Sequence, residues 1–197
     1  MSRATVVRVL VGVMLLAGSL GAAAQQKSLY SVDEYNAFVD TTRGEPNERL
    51  VAIDAFLENY PNSVLRALIY PAQAQLAFSV KQYEKAMGSV DAYLAMDRER
   101  VNAILTQSGY NELQIEGSYY SSILTHSSSY LQLLGTNAAR AQALTENAAR
   151  TARRGLELHD RIYAQVQPPD DPAKLREFQA QKQQAEATFR VILADAA

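Results

Sequence analysis

From Ser31 onward, apolar residues recur every three or four positions, and short polar turns carrying Gly or Pro interrupt them. That spacing gathers apolar side chains on one side of a helix, whereas a strand would need strict alternation. In Asn47–Tyr60, for example, Leu50, Ile53, Phe56 and Leu57 make one stripe. A series of such segments can bury its stripes only by laying helix against helix. The expected fold is therefore all-α, built of antiparallel helix pairs joined by short turns. Composition agrees: Ala, Leu, Gln, Glu and Arg, all strong helix formers, are frequent, while Gly (9) and Pro (6) are sparse.

The punctuation predicts the order of elements. Ser31 and Glu34 form a capping box that opens the first helix. Gly44 suits its end and Pro46 the first turn of the second helix, which Pro61 stops. Ser63 is placed to cap a third helix over about 64–80, where the internal Pro71 predicts a kink or a split. A tight turn at Lys81–Tyr83 leads to a fourth helix. A short helix near 98–107 ends at Gly109. A long one follows over about 111–134, broken at Gly135–Asn137 with Thr136 or Asn137 as the next cap. Another long helix runs to Val166, and the last, capped by Asp170 or Asp171, runs from Pro172 to about Ala194.

The first residues carry a different signal. Arg3 and Arg8 precede the short apolar run VLVGVMLLAGSL, and GAAAQQ ends it in small residues. This is the pattern of a secretory signal peptide over 1–24, with cleavage after Ala24 and a linker over 25–30. The run is shorter than the ~20 residues a membrane span needs, and no second long apolar run follows, so stable membrane insertion is not expected. The chain has no Cys, which excludes a lipoprotein anchor, disulfides and thiolate metal sites. The expected location is periplasmic or secreted. The segment holds two of the 19 Lys/Arg and none of the 21 Asp/Glu, leaving four more acids than bases. Such a surface is poorly suited to nucleic acid.

A repeat lies within the helices. Ile53, Phe56 and Pro61 are spaced as the last three signature positions of a helix–turn–helix unit. Ala86, Val90 and Tyr93 follow Ala74, itself preceded at four residues by Tyr70, and Ala148, Ala152, Gly155 and Leu156 repeat the same second-helix spacing. Small residues at such places let neighbouring helices approach, and large apolar ones fill the gap between pairs. These residues resemble a degenerate tetratricopeptide (TPR) array over roughly 31–194, similar to exported bacterial TPR proteins. Arg49 departs from the pattern where a small residue belongs, and the unit after Met96 is stretched. The resemblance implies a short right-handed solenoid with a concave groove that binds a protein or peptide, expected to be another envelope protein or an extended peptide, as a non-enzymatic adaptor without a cofactor. It places partner-facing residues on the first helix of each unit, here Leu68, Gln75, Phe78 and Ser79, with Pro71 at another such position.

The stretch from Glu116 to Gly135 has six Ser, three Tyr and His126. Wound as a helix, it puts Tyr120, Ile123, Ser127, Leu131 and Leu134 on one stripe and Ser122, His126 and Ser129 on its flanks. Ser122 and His126 are four apart and within reach of each other. A hydrolase would further need an orienting acid, oxyanion donors and a nucleophile turn, which the pattern lacks. A polar helix face lining the groove is the expectation, adding Tyr119 and His126 to the partner-binding residues. A bundle enclosing a small-ligand pocket is the alternative. His159 is the other histidine, and two histidines without Cys do not make a typical zinc site. It reads as a basic side chain near a helix end. Arg150, Arg153, Arg154 and Arg161 read as a solvated face. The last helix has apolar Leu175, Phe178, Ala185, Phe189, Ile192 and Leu193 but no following helix to cover them, which raises the expectation of a homodimer there.

Overall fold

The computed structural model describes residues 29–196. The expected signal peptide and most of the linker lie outside the described residues. Nine helices and no strand occur among those described: α1 (Val32–Asp40), α2 (Pro46–Asn59), α3 (Arg66–Ser79), α4 (Tyr83–Leu94), α5 (Arg98–Gln107), α6 (Glu112–Thr136), α7 (Ala138–Gln142), α8 (Thr145–Gln165) and α9 (Pro172–Asp195). No described helix is long and apolar enough to cross a membrane.

Local chemistry sets the boundaries. The Ser31 side chain accepts from the Glu34 amide at 3.1 Å, and Glu34 accepts from the Ser31 amide at 3.3 Å, closing the expected box. Asn111 and Gln114 form a second box at the start of α6, with both bonds 2.9 Å. Asp171 is the cap of α9, taking the amides of Ala173 and Lys174. Gly44 adopts φ +88°, a left-handed conformation that favours glycine, just before Pro46 opens α2.

Three details differ from expectation. Of the kink or split expected at Pro71, the split does not occur: α3 runs unbroken through it, at the cost of one backbone bond to the Ala67 carbonyl. Ser63 caps a tight turn instead of the helix itself: its hydroxyl accepts from the Leu65 amide at 3.0 Å, and α3 begins at Arg66. The single long helix expected after Asn137 is two, α7 and α8, separated at Ala143–Leu144. Asn137 closes α6 and caps α7.

Successive helices pack on one another. α1 packs on α2, α2 on α3, α3 on α4, α4 on α6, α6 on α8 and α8 on α9. α3 also touches α6, and α6 touches α9. The short α5 and α7 lie against α6. α6 is thus enclosed by six other helices and forms the axis of the main core, with Ile123 and Tyr130 fully buried. Two smaller apolar clusters hold the front of the chain, one of Ile53, Phe56, Leu65 and Ile69, the other of Leu50, Ala77 and Ala86.

The ends of the stack differ. The apolar flank of α9, expected to be open, is covered by this chain's own α8 and α6: Phe189 and Ile192 are fully buried, and Phe178 meets the Tyr163 ring at 5.4 Å. Lys174, Arg176, Gln183 and Arg190 face outward. At the other end α1 buries none of its residues, and Leu29, Val32 and Tyr35 stay exposed.

Candidate partner-binding surface

α3 and α6, which touch each other, each leave one narrow side less covered than the rest. On α3 the open side runs through Ala72, Gln75 and Ser79, with Leu68 and Pro71 half-buried beside them. These positions recur at three and four residues because the opposite side of α3 is given to Ala67, Tyr70, Ala74 and Ala77. On α6 the more open line runs through Gly117, Ser121, Ser128, Gln132 and Gly135, and a side chain added at Gly117 or Gly135 would meet nothing within 4 Å. The Gln132 end of this line borders an open cleft of about 670 Å³ with Lys81, Tyr83 and Lys85 from the start of α4. Lys85 is paired with Asp54 and Glu84 with Arg140, so much of the cleft's charge is internally balanced.

Among the expected partner-facing residues, Gln75 and Ser79 are exposed, and the Ser79 hydroxyl donates to the Leu76 carbonyl at 2.7 Å. Leu68 and Phe78 are half-buried. Leu68 joins the apolar clusters, and Phe78 packs 5.8 Å from the Tyr83 ring, so both serve packing first. Tyr119 and His126 are corrected: they are 2% and 0% exposed and lie on no open face. The physical reason is the position of α6. Neighbours surround it, and the stripe that enters the core is Tyr119, Ile123, His126, Tyr130 and Leu133, spaced four, three, four and three. That spacing was present in the sequence and would have placed His126 inside.

The buried polar groups of α6 are held in two ways. Ser122 and Ser129 donate to the carbonyls of Ser118 and Thr125, four residues back, which lets a hydroxyl enter an apolar interior. Ser122 is therefore committed to its own helix and makes no hydrogen bond to His126. The tyrosines reach across helices. Tyr119 stacks on Tyr93 with centroids 4.9 Å apart, under the Arg98 guanidinium. The Tyr120 hydroxyl lies 2.8 Å from Nδ1 of His159.

His159 is fully buried beside Tyr120 and Tyr163, which corrects its reading as a basic side chain at a helix end. Burial pulls its pKa below the usual imidazole range and pushes Tyr120 up. The consistent arrangement is a neutral imidazole accepting the Tyr120 proton at Nδ1. Among the described residues no group of three or more His, Asp or Glu is placed to hold a metal ion.

Sequence reasoning also missed the polar pairs between distant segments. Gln73, buried at the α3–α4 contact, donates to Asp54 at 2.8 Å and accepts from Ser89 at 2.9 Å. Tyr130 donates to the Asp195 carboxylate at 2.7 Å and lies 2.8 Å from the Thr145 hydroxyl, tying α6 to the start of α8 and the end of α9. Tyr130→Phe is expected to cost about 1–2 kcal/mol, reduced from the full value of a bond to a charged group because Asp195 is exposed. Urea midpoints of the two proteins measure it.

Comparison with known proteins gives no family model, no curated protein and no solved structure that matches this chain.

Proposed function

We propose that this chain is an exported, non-enzymatic adaptor: a TPR-like helical array that grips a protein or peptide partner of the cell envelope along the open sides of α3 and α6. The observation that carries the reading is the order of packing. α3 pairs with α4 and touches α6, and α6 pairs with α8 and touches α9, so alternate long helices meet as well as consecutive ones. Stacked two-helix repeats generate that order, each pair covering the face its neighbour cannot bury alone. Ala74, Ala86, Val90, Ala148 and Ala152 are all fully buried, as helices nesting at small residues require. In this reading α3, α6 and α9 are the first helices of their units, α9 closes the array with its polar outer side, and α5 and α7 fill the stretched connections.

A photo-reactive residue at Gln75 or Ser79, compared with one at the exposed Gly88 of α4, tests the proposal in an envelope extract. A discrete cross-linked partner should form from both α3 positions and not from Gly88. Equal labelling from the two faces, or none from α3, removes the groove as the binding site.

A further inference from the structure

His126 is fully buried at the joint of α4, α6 and α8, and neither ring nitrogen has a hydrogen bond. Its Nε2 lies 3.4 Å from Oδ1 of Asp91 on α4, an ion-pair distance. The other carboxylate oxygen of Asp91 accepts from Nδ2 of Asn147 on α8 at 2.7 Å, which fixes the carboxylate toward the imidazole. The Asp91 side chain is 41% exposed while that of His126 is sealed, so Asp91 is the face through which a proton from solvent would reach the ring. A neutral imidazole can turn only its Nε2–H toward this carboxylate, whereas a protonated one also gains the attraction of a fixed counter-charge, with Nδ1 unpartnered in both states.

We propose that His126 and Asp91 form a proton-operated clasp across the α4–α6–α8 joint, closed as an ion pair when the imidazole is charged and loosened when it is neutral. Apart from Arg150, the charged groups named around α6 are engaged elsewhere, Arg161 of α8 with Glu116 among them. From α4 there is Asp91, and from α8 there is Arg150, which acts on the Asp91 carboxylate. Arg98 of α5 covers the Tyr119 ring, Arg140 of α7 pairs with Glu84, and Arg66 of α3 binds Tyr70 and the Pro61 carbonyl. Lys182 and Glu186 of α9 act on His159, and Asp195 takes Tyr130.

Asp91 supports the arrangement. Burial pushes its carboxyl up, but His126, Asn147 and Arg150 outweigh burial and hold it below the usual range. A carboxyl depressed in the folded state stabilises the fold above its unfolded pKa, and that stabilisation is lost as pH falls through the depressed value. The part owed to His126 also requires the charged imidazole. His159 works in the opposite sense: its depressed pKa favours the fold at higher pH, so the overall pH profile is a sum of both and does not isolate the clasp.

Proton NMR of the two imidazoles in the full chain separates them. In Asp91→Asn the His126 signal should move to lower pH than in the parent, while that of His159 stays in place. The same substitution, and His126→Gln, should flatten the difference in thermal midpoint between about pH 5.5 and about pH 7.5 relative to the parent, because either removes the ion pair. An unmoved His126 titration in Asp91→Asn overturns the proposal. If that variant does not fold, the parent protein decides: a His126 midpoint above that of a model imidazole supports the clasp, and one at or below it rejects it.

Discussion

Phe189→Ala is expected to lower the unfolding free energy by about 3–5 kcal/mol, the range for emptying a fully buried aromatic site. Phe189 is 0% exposed, and its ring meets Tyr120 edge-on with centroids 6.0 Å apart. Together with Ile123 it also borders the bare backbone of Gly155, so one side chain joins α9 to both α6 and α8. Local collapse has little room to fill the space, since the atoms around it belong to three packed helices. Chemical denaturation gives the loss, and limited proteolysis should show cleavage in α9 before the rest of the chain. Val191→Ala, two residues on but 53% exposed, should stay within about 0.5 kcal/mol. A loss below about 1 kcal/mol for Phe189→Ala would mean that α9 is not part of the cooperative core.

Helix order and boundaries were legible because they depend on local chemistry: a serine and a glutamate three apart, a proline in a first turn, an asparagine at a helix junction. The small residues that let helices approach were legible too, since Ala74, Ala86 and Ala148 recur at spacings that packing requires. The direction in which α6 turns was not. A helix surrounded on nearly all sides has no plain polar face, and its serines satisfy themselves by bonding back to their own helix. Serine therefore marked neither inside nor outside, and the deciding stripe from Tyr119 through His126 to Leu133 competed with another that also looked apolar. The pairs that anchor the polar groups were out of reach for a different reason. Asp91 and Asn147 are 56 residues apart, and Tyr130 and Asp195 are 65 apart. No local spacing encodes such contacts; they follow from how the helices stack. The split between α7 and α8 likewise lacks the Gly or Pro that marked other breaks.

The second large effect concerns Gly155 and is a matter of sign. Gly155→Ala is expected to destabilise by up to about 2 kcal/mol, whereas Gly88→Ala is expected to stabilise by about 0.5–1 kcal/mol. Both glycines lie inside helices, so both substitutions gain the same helix propensity, roughly 1 kcal/mol. They differ in the space beside them. A Cβ at Gly88 meets nothing within 4 Å, but one at Gly155 falls 2.6 Å from the Phe189 ring and 2.9 Å from a methyl of Ile123. Neither neighbour can swing away, because both are fully buried. The added methyl must push α8 from α6 or α9, and overpacking of that kind typically costs about 1–3 kcal/mol, which exceeds the propensity gain. The clash also makes the two sites interdependent. In a Phe189→Leu background the contact with the ring is gone, so Gly155→Ala should cost at least about 1 kcal/mol less there than in the parent, a coupling that a double-mutant cycle reads directly. If the cost were the same in both backgrounds, the close approach of α8 to α9 at Gly155 would not be what the missing side chain is for.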